Sequence, residues 1–339
     1  MKPREIRAAC APGPARRTYW CLEGLRRKPS DYEITSTALL YQLRRGAEVR
    51  TPVLEHQQSQ RTEALLRSAR WESFEDPARF TYSAYVAERR DQEAVLDRLL
   101  ERPHAPVPVP LRPLLGLLSA LRFPLHGMQM MAAYVGAFAP SGRIAIAAAF
   151  QAADELRRIQ RLCQWLSRSG LPPAEVDVLG RRIWQEDRDF QPLRRLVEEQ
   201  LVRYDWGEAL VALNGVIKPV FDRLWFEHVA RIAERHDDEV LEKILGSLDE
   251  DGRWHRAWFV SFSRLSLEGD AANPGVMARW AAALQPRVTQ VAQALLRASD
   301  GLFGDEGGRA QVIRDLEAGL AAHLESAGIA RAATEQTSP

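Results

Sequence analysis

The stretch most able to do chemistry is AADELRRIQR, Ala152 to Arg161. Glu155 and Arg158 stand three residues apart, a spacing that brings two side chains together on a helix. A glutamate followed three residues later by histidine is the helical ligand pair of two-iron carboxylate proteins. Such a site takes one glutamate from each of two helices and a Glu-x-x-His from each of two others. Here the last position holds arginine, which stays protonated and has no lone pair to give a metal. The seven histidines are His56, His104, His126, His228, His236, His255 and His323, and only His104 follows a glutamate by three residues. That pair, Glu101 and His104, spans Pro103, where a helix cannot run. The residues leave two readings open. Glu155 and Arg158 are a charge pair buried at a former ligand position, or an ordinary salt bridge between helices.

The second candidate is YDWGEALVALNGVIKP, Tyr204 to Pro219. Glu208 faces Val211, Ala212 and Gly215 at helical spacing, so Asp205 and Glu208 are expected as carboxylates of a buried helix. One reading makes them ligands of an atypical metal set with Glu155 and His126. The other pairs Glu208 with a cation from a neighbouring helix, which the missing Glu-x-x-His motifs favour. Pro219 should kink or end that helix. His126, in FPLHGMQMM, reads more simply as a core or capping residue. There is no Walker loop, no Gly-x-Gly-x-x-Gly after a strand, no Gly-x-Ser-x-Gly and no His-Glu-x-x-His.

The elements that must position these groups are helices. Asp76 and Pro77 form a good helix start, and the amphipathic run that follows ends at Pro103. HAPVPVPLRP then interrupts the chain. Residues 111–138 form one or two very apolar helices around Pro124, and Pro140-Ser141-Gly142 precedes a long helix over 143–168. On that helix Ile144, Ala148, Gln151, Glu155, Ile159 and Leu162 share one face at about 100° per residue. Further helices are expected near 174–186, 192–203, 205–236, 237–249, 252–267, 274–299 and 305–327. The fold class is therefore all-α. Residues 1–30 read as an extended N-terminal arm, 31–328 as one helical domain, and 329–339 as a flexible tail.

The bulk numbers exclude several function classes. Lys and Arg total 46 against 45 Asp and Glu in 339 residues, so no net charge points to nucleic acid or an anionic membrane. Apolar content of 46% with nine tryptophans argues against disorder. Cys10, Cys21 and Cys163 fit no metal or redox spacing and read as reduced thiols of a cytoplasmic protein. No apolar run reaches transmembrane length.

Taken together, these segments resemble the hydroxylase beta subunit of soluble bacterial diiron multicomponent monooxygenases, in the toluene, phenol and alkene or isoprene branch. The resemblance rests on RRTYWCLEGLRRKPSDYEITSTALLY (16–41), WESFEDPARFTYSAYVAER (71–89), FPLHGMQMMAAYVGAFAPSGRIAIAAAFQAADELRRIQRL (123–162), WQEDRDFQPLRRLVEEQLVRYDWGEALVALNGVIKPVFDRL (184–224) and SLDEDGRWHRAW (247–258). Residues 42–70 depart most from the family pattern. The resemblance implies a ferritin-like helical bundle with additional C-terminal helices. It implies a non-catalytic structural chain with no cofactor of its own, supporting an alpha subunit that holds two irons. Arg158 then stands where the catalytic paralogue has histidine. The implied reaction is NADH- and O₂-dependent hydroxylation or epoxidation of small aromatic or alkene hydrocarbons. The implied partners are the alpha subunit and a gamma subunit in a dimer of protomers. A coupling protein, a reductase and a Rieske ferredoxin complete the system. Tyr19, Trp20, Arg27, Pro29, Tyr32 and Glu33 are expected at the alpha-subunit interface. The alternative is a self-sufficient ferritin-like metalloprotein with an atypical ligand set.

Overall fold

The structure, a computed structural model, describes residues 27, 29–36, 56, 59, 60, 63–102, 106–299 and 301–329. Tyr19, Trp20, Cys10, Cys21 and residues 330–339 of the tail lie outside them. Among the described residues the regular structure is helical, with no β-strand. In chain order the helices are α1 (Asp31–Ser36), α2 (Tyr82–Leu100), α3 (Pro113–Phe138), α4 (Gly142–Leu166), α5 (Pro173–Glu186) and α6 (Gln191–Gln200). They continue with α7 (206–235), α8 (Glu239–Leu267), α9 (Asn273–Ala298) and α10 (Glu306–Ser326).

Capping residues set the starts. Ser141 accepts from Arg143 N at 3.2 Å to open α4, and Asp238 accepts from Leu241 N at 3.0 Å to open α8. The expected helix start at Asp76 is not observed. Asp76 caps a turn instead, accepting from the amides of Ala78 and Phe80, and Arg79 then takes a positive φ of 52°. A helix cannot pass through that conformation. Thr81 is the cap in its place, and α2 starts one residue later.

Three sequence signals of a break resolve in the structure, and one of them, near residues 250–251, is overturned. Pro124 lies inside one continuous α3, which is buried nearly all round in its first three turns. The expected break near residues 250–251 is absent, and α8 runs through Gly252 without interruption. Pro219 does not end α7. The turns before it widen into a π-helix over Val211–Ile217, and a second π-helix covers Arg223–His228. All of Val211–Ile217 is buried.

α3 and α4 pack side by side, and α5 lies against α3. α8 packs on α2, α4 and α7, and α9 and α10 close the other side of α7. One continuous apolar cluster runs through all of them, with Trp165, Trp206, Trp225 and Trp258 as its largest fully buried side chains.

A buried charge site between four helices

Apart from that apolar cluster, α2, α4, α7 and α8 turn charged residues toward one another. At the centre are two carboxylates and two cations. Arg158 on α4 places Nη1 3.2 Å from Glu155 Oε2 and 2.9 Å from Asp222 Oδ1, and Nη2 3.0 Å from the Leu248 carbonyl. Lys218 Nζ lies 2.6 Å from Glu155 Oε1 and 3.3 Å from Asp222 Oδ2. All four side chains are buried. Unpaired, any of these ions would be costly in such surroundings, but here the charges balance. Burial opposes ionisation of Asp222, yet Arg158 and then Lys218 outweigh it and hold the carboxyl below its ordinary range.

α8 contributes His255. Its Nε2 is 3.1 Å from Asp154 Oδ2 and its Nδ1 is 3.8 Å from Glu155 Oε1. Burial is the main cause that lowers this imidazole to about 4, so it is neutral. Asp154 is also the anchor for Arg89 Nε and Nη2 at 2.7 and 2.9 Å, and accepts from Tyr85 Oη at 2.7 Å. Burial works against ionised Asp154, but the hydrogen bonds from His255 and Arg89 hold its carboxyl well below the usual range. Arg157 reaches Asp251 at 2.5 Å and Glu93 at 2.6 Å, and Arg161 pairs with Asp97 at 2.6 Å and with Glu93. Burial, and then Asp154, raise Asp251 to about 7. A neutral layer lies next along α4. Gln151 and Asn214 exchange hydrogen bonds at 2.7 and 2.8 Å, and Trp258 Nε1 donates to Gln151 at 3.0 Å.

These residues do not fit a two-iron centre. A metal between Glu155 and Asp222 would have to displace Arg158 and Lys218, neither of which offers a lone pair when charged. The position three residues before His255 is Gly252, where a Cβ would stand 2.6 Å from Asp222 Oδ2 and 3.0 Å from Arg158 Nη2. There is no room there for a glutamate while the cations are in place. Among the described residues, no group of three or more His, Cys, Asp or Glu is arranged to hold a metal ion.

Of the residues singled out from sequence, Glu155 and Arg158 meet as expected. Asp205 and Glu208 are not buried core carboxylates. Asp205 is the N-cap of α7, accepting from Gly207 N at 2.8 Å and Glu208 N at 3.1 Å, with Leu65 N donating at 2.8 Å. Glu208 sits in the first turn, partly exposed, 3.7 Å from Arg203 in the preceding loop. Trp206, Gly207 and Ala209 of that turn are buried, and Glu208 is its partly exposed position. His126 is exposed on α3. Tyr32 and Glu33 serve this chain's own packing. Tyr32 is buried and its hydroxyl accepts from Asp76 N at 3.1 Å, while Glu33 pairs with Arg27 and Ser30. Pro29 is half-buried. Sequence reasoning missed Lys218, Asp222, Asp154 and His255. The signal for Lys218 and Asp222 was their isolation as charges in IKPVFDRLWF.

The family description Methane/Phenol/Alkene Hydroxylase matches residues 51–270. The chain belongs to that family. It is 29% identical over 296 residues to the hydroxylase component subunit beta of the toluene-4-monooxygenase system of Ectopseudomonas mendocina, covering 83% of this chain and 89% of that one. It is 32% identical over 162 residues to the hydroxylase component small subunit of propane 2-monooxygenase of Mycolicibacterium goodii, which covers 46% of this chain and 44% of that one. Among solved structures, toluene 4-monooxygenase with toluene in its resting active site superposes with a TM-score of 0.74 at 27% identity, over 85% of this chain and 99% of that chain. Phenol hydroxylase from Pseudomonas sp. OX1 superposes with a TM-score of 0.76 at 20% identity, over 94% and 97%, and shows the shared fold. The fold is the ferritin-like all-α fold of these hydroxylases. No described helix of this family member is long and apolar enough to cross a membrane.

One pH effect follows for this hydroxylase-family chain. His323 on α10 is lowered to about 4, mainly by burial, and its Nε2 sits 2.9 Å from the Asn214 carbonyl, so the neutral ring must donate there. Between the ordinary histidine value of about 6.5 and 4, the unfolded chain binds a proton that the folded chain refuses. Stability should fall as pH drops through that window. His255 acts in the same direction, and Asp251, being raised, acts against it. Urea denaturation from pH 7 to 4 should show a slope shallower by about one proton in His323→Gln than in the parent.

Proposed function

We propose that this chain is the non-catalytic structural subunit of a multicomponent monooxygenase hydroxylase. The observation that carries the reading is the pair of cations, Arg158 and Lys218, held between Glu155 and Asp222 at 2.6–3.3 Å. Four-helix carboxylate sites put metal ions between such carboxylates. In this chain protonated side chains neutralise them. Its role is to support an alpha subunit that holds two irons, with a gamma subunit, in a dimer of protomers. The supported reaction is NADH- and O₂-dependent hydroxylation or epoxidation of small aromatic or alkene hydrocarbons. A coupling protein, a reductase and a Rieske ferredoxin complete the cytoplasmic system.

α4 supports the need for a partner. A helix at a protein surface ordinarily shows its charges to water. α4 does the reverse. Its six charged residues, Arg143, Asp154, Glu155, Arg157, Arg158 and Arg161, are all buried. Its exposed positions are Ala149, Ala153, Leu156, Gln160, Cys163 and Gln164, all uncharged. Met130 and Ala133 of neighbouring α3 are exposed and uncharged as well. Such a face is suited to docking a second subunit. The N-terminal arm, with Tyr19, Trp20 and Arg27, is assigned to the same partner.

Ala153→Glu tests this face. A surface change away from core features should leave the chain's own stability within about 0.5 kcal/mol. A charge placed in an apolar interface should lower co-purification with the co-expressed two-iron subunit by at least about tenfold. Unchanged co-purification would remove α4 from the interface. The competing reading, a self-sufficient metalloprotein using Glu155, Asp205, Glu208 and His126, has no specific observation in its favour. Those residues hold different partners or face solvent.

A further inference from the structure

A cavity of about 410 Å³ opens between α7, α8 and α10. It is separate from the α4 face and does not depend on the subunit reading. Its charged lining is Arg223 and Glu227 from α7 and Arg253 and Arg256 from α8. Three guanidiniums thus face one carboxylate. Pro219, Ala257, Val260 and Ala322 supply an apolar wall.

The arginines are held from behind. Asp249 takes Arg253 Nε at 2.9 Å on one oxygen and Arg256 Nη2 at 3.2 Å on the other. Asp315 takes Arg223 Nη2 and Nε at 2.9 and 3.0 Å, and its second contact is His228 Nε2 at 2.8 Å. Both anchoring carboxylates therefore have each oxygen engaged. The arginines do not have each nitrogen engaged, because a guanidinium carries five N–H donors. Arg256 Nη1 is buried beside Asp222 Oδ2, 3.9 Å away, so the donors open to the cavity are those of Arg253, 69% exposed, and Arg223, 29% exposed. Glu227, the one lining carboxylate, is 3.6 Å from Arg223 and 3.8 Å from Arg231. Gly319 on α10 gives Arg223 its room, since a Cβ there would stand 3.1 Å from Arg223 Cδ.

We propose that this cavity binds a small oxyanion, a carboxylate or phosphate group whose apolar remainder, if any, lies on Ala257 and Val260. Clustered, pre-oriented guanidiniums with spare donors match the planar or tetrahedral oxygens of such groups. The volume is that of a small-molecule site.

The probes are sodium benzoate and inorganic phosphate, titrated by calorimetry into the full-length chain at constant ionic strength, with chloride as the control. The parent should bind at least one of them saturably. Arg253→Gln removes an exposed guanidinium, and Ala322→Phe fills the cavity from an exposed position. Each should weaken binding at least about tenfold with the melting temperature unchanged. Binding of benzoate alone assigns a carboxylate with an apolar body, and binding of both assigns the shared oxyanion chemistry. No saturable binding of either probe by the parent overturns the proposal. So does binding that both variants leave intact.

Discussion

Arg158→Ala is expected to destabilise the fold by about 3–5 kcal/mol. The guanidinium is fully buried and serves Glu155, Asp222 and the Leu248 carbonyl at once. Its loss leaves two buried carboxylates with one cation, Lys218. An uncompensated buried charge costs far more than the pair contributes. The double change Glu155→Gln with Arg158→Met should be milder, because Lys218 and Asp222 then remain as a neutral pair. Urea denaturation of the three chains tests this. A single-mutant loss within about 1 kcal/mol is the behaviour of an exposed pair and would contradict the burial of the cluster.

Asp154→Ala should have an effect of the same size for a different reason. Among the described residues, Asp154 is the only carboxylate that holds Arg89 by two short hydrogen bonds, and it also orients Tyr85 and His255. Without it, Arg89 keeps Asp251 and Glu88 at 3.4 Å and Gln92 at 3.1 Å. The expected loss is about 3–5 kcal/mol. Asp154→Asn keeps an acceptor for Tyr85 and should fall between the parent and the alanine variant. Equal stability of all three would mean that α2 does not depend on this anchor.

The sequence made the helices legible because apolar spacing, prolines and caps agree along most of the chain. Pro140-Ser141-Gly142 and Leu171-Pro172-Pro173 break helices where expected, and Glu155 with Arg158 could be paired from their spacing alone. Three things were not legible. Projecting α7 at 3.6 residues per turn directs attention to Glu208, but the π-helices over Val211–Ile217 and Arg223–His228 change the phase. Lys218 and Asp222, four apart and beyond the first widened turn, are the charges that reach the core. Asp76 resembles a helix cap because only the positive φ of Arg79 rules that helix out. Gly252-x-x-His255 carries no visible motif, since the informative feature is an absent side chain beside Asp222 and Arg158.

The inverted polarity of α4 connects the two halves of the account. A helix that buries six charges needs partners for them; α2, α7 and α8 provide those of five, and the Phe74 carbonyl meets Arg143 at 3.2 Å. The same arrangement leaves an uncharged outer face, the one proposed to dock another subunit. If Arg158 and Lys218 replace metal ions as the counter-charge of this bundle, the chain folds around its own cations and needs no iron to be stable.

Iron per chain, measured on the full-length protein expressed and purified by itself, tests that claim most directly. Iron well below one atom per chain, with the fold intact, is the expected result. About two tightly held irons per chain, the number that a two-iron site requires, would contradict it and would mean that Arg158 and Lys218 leave the space between Glu155 and Asp222.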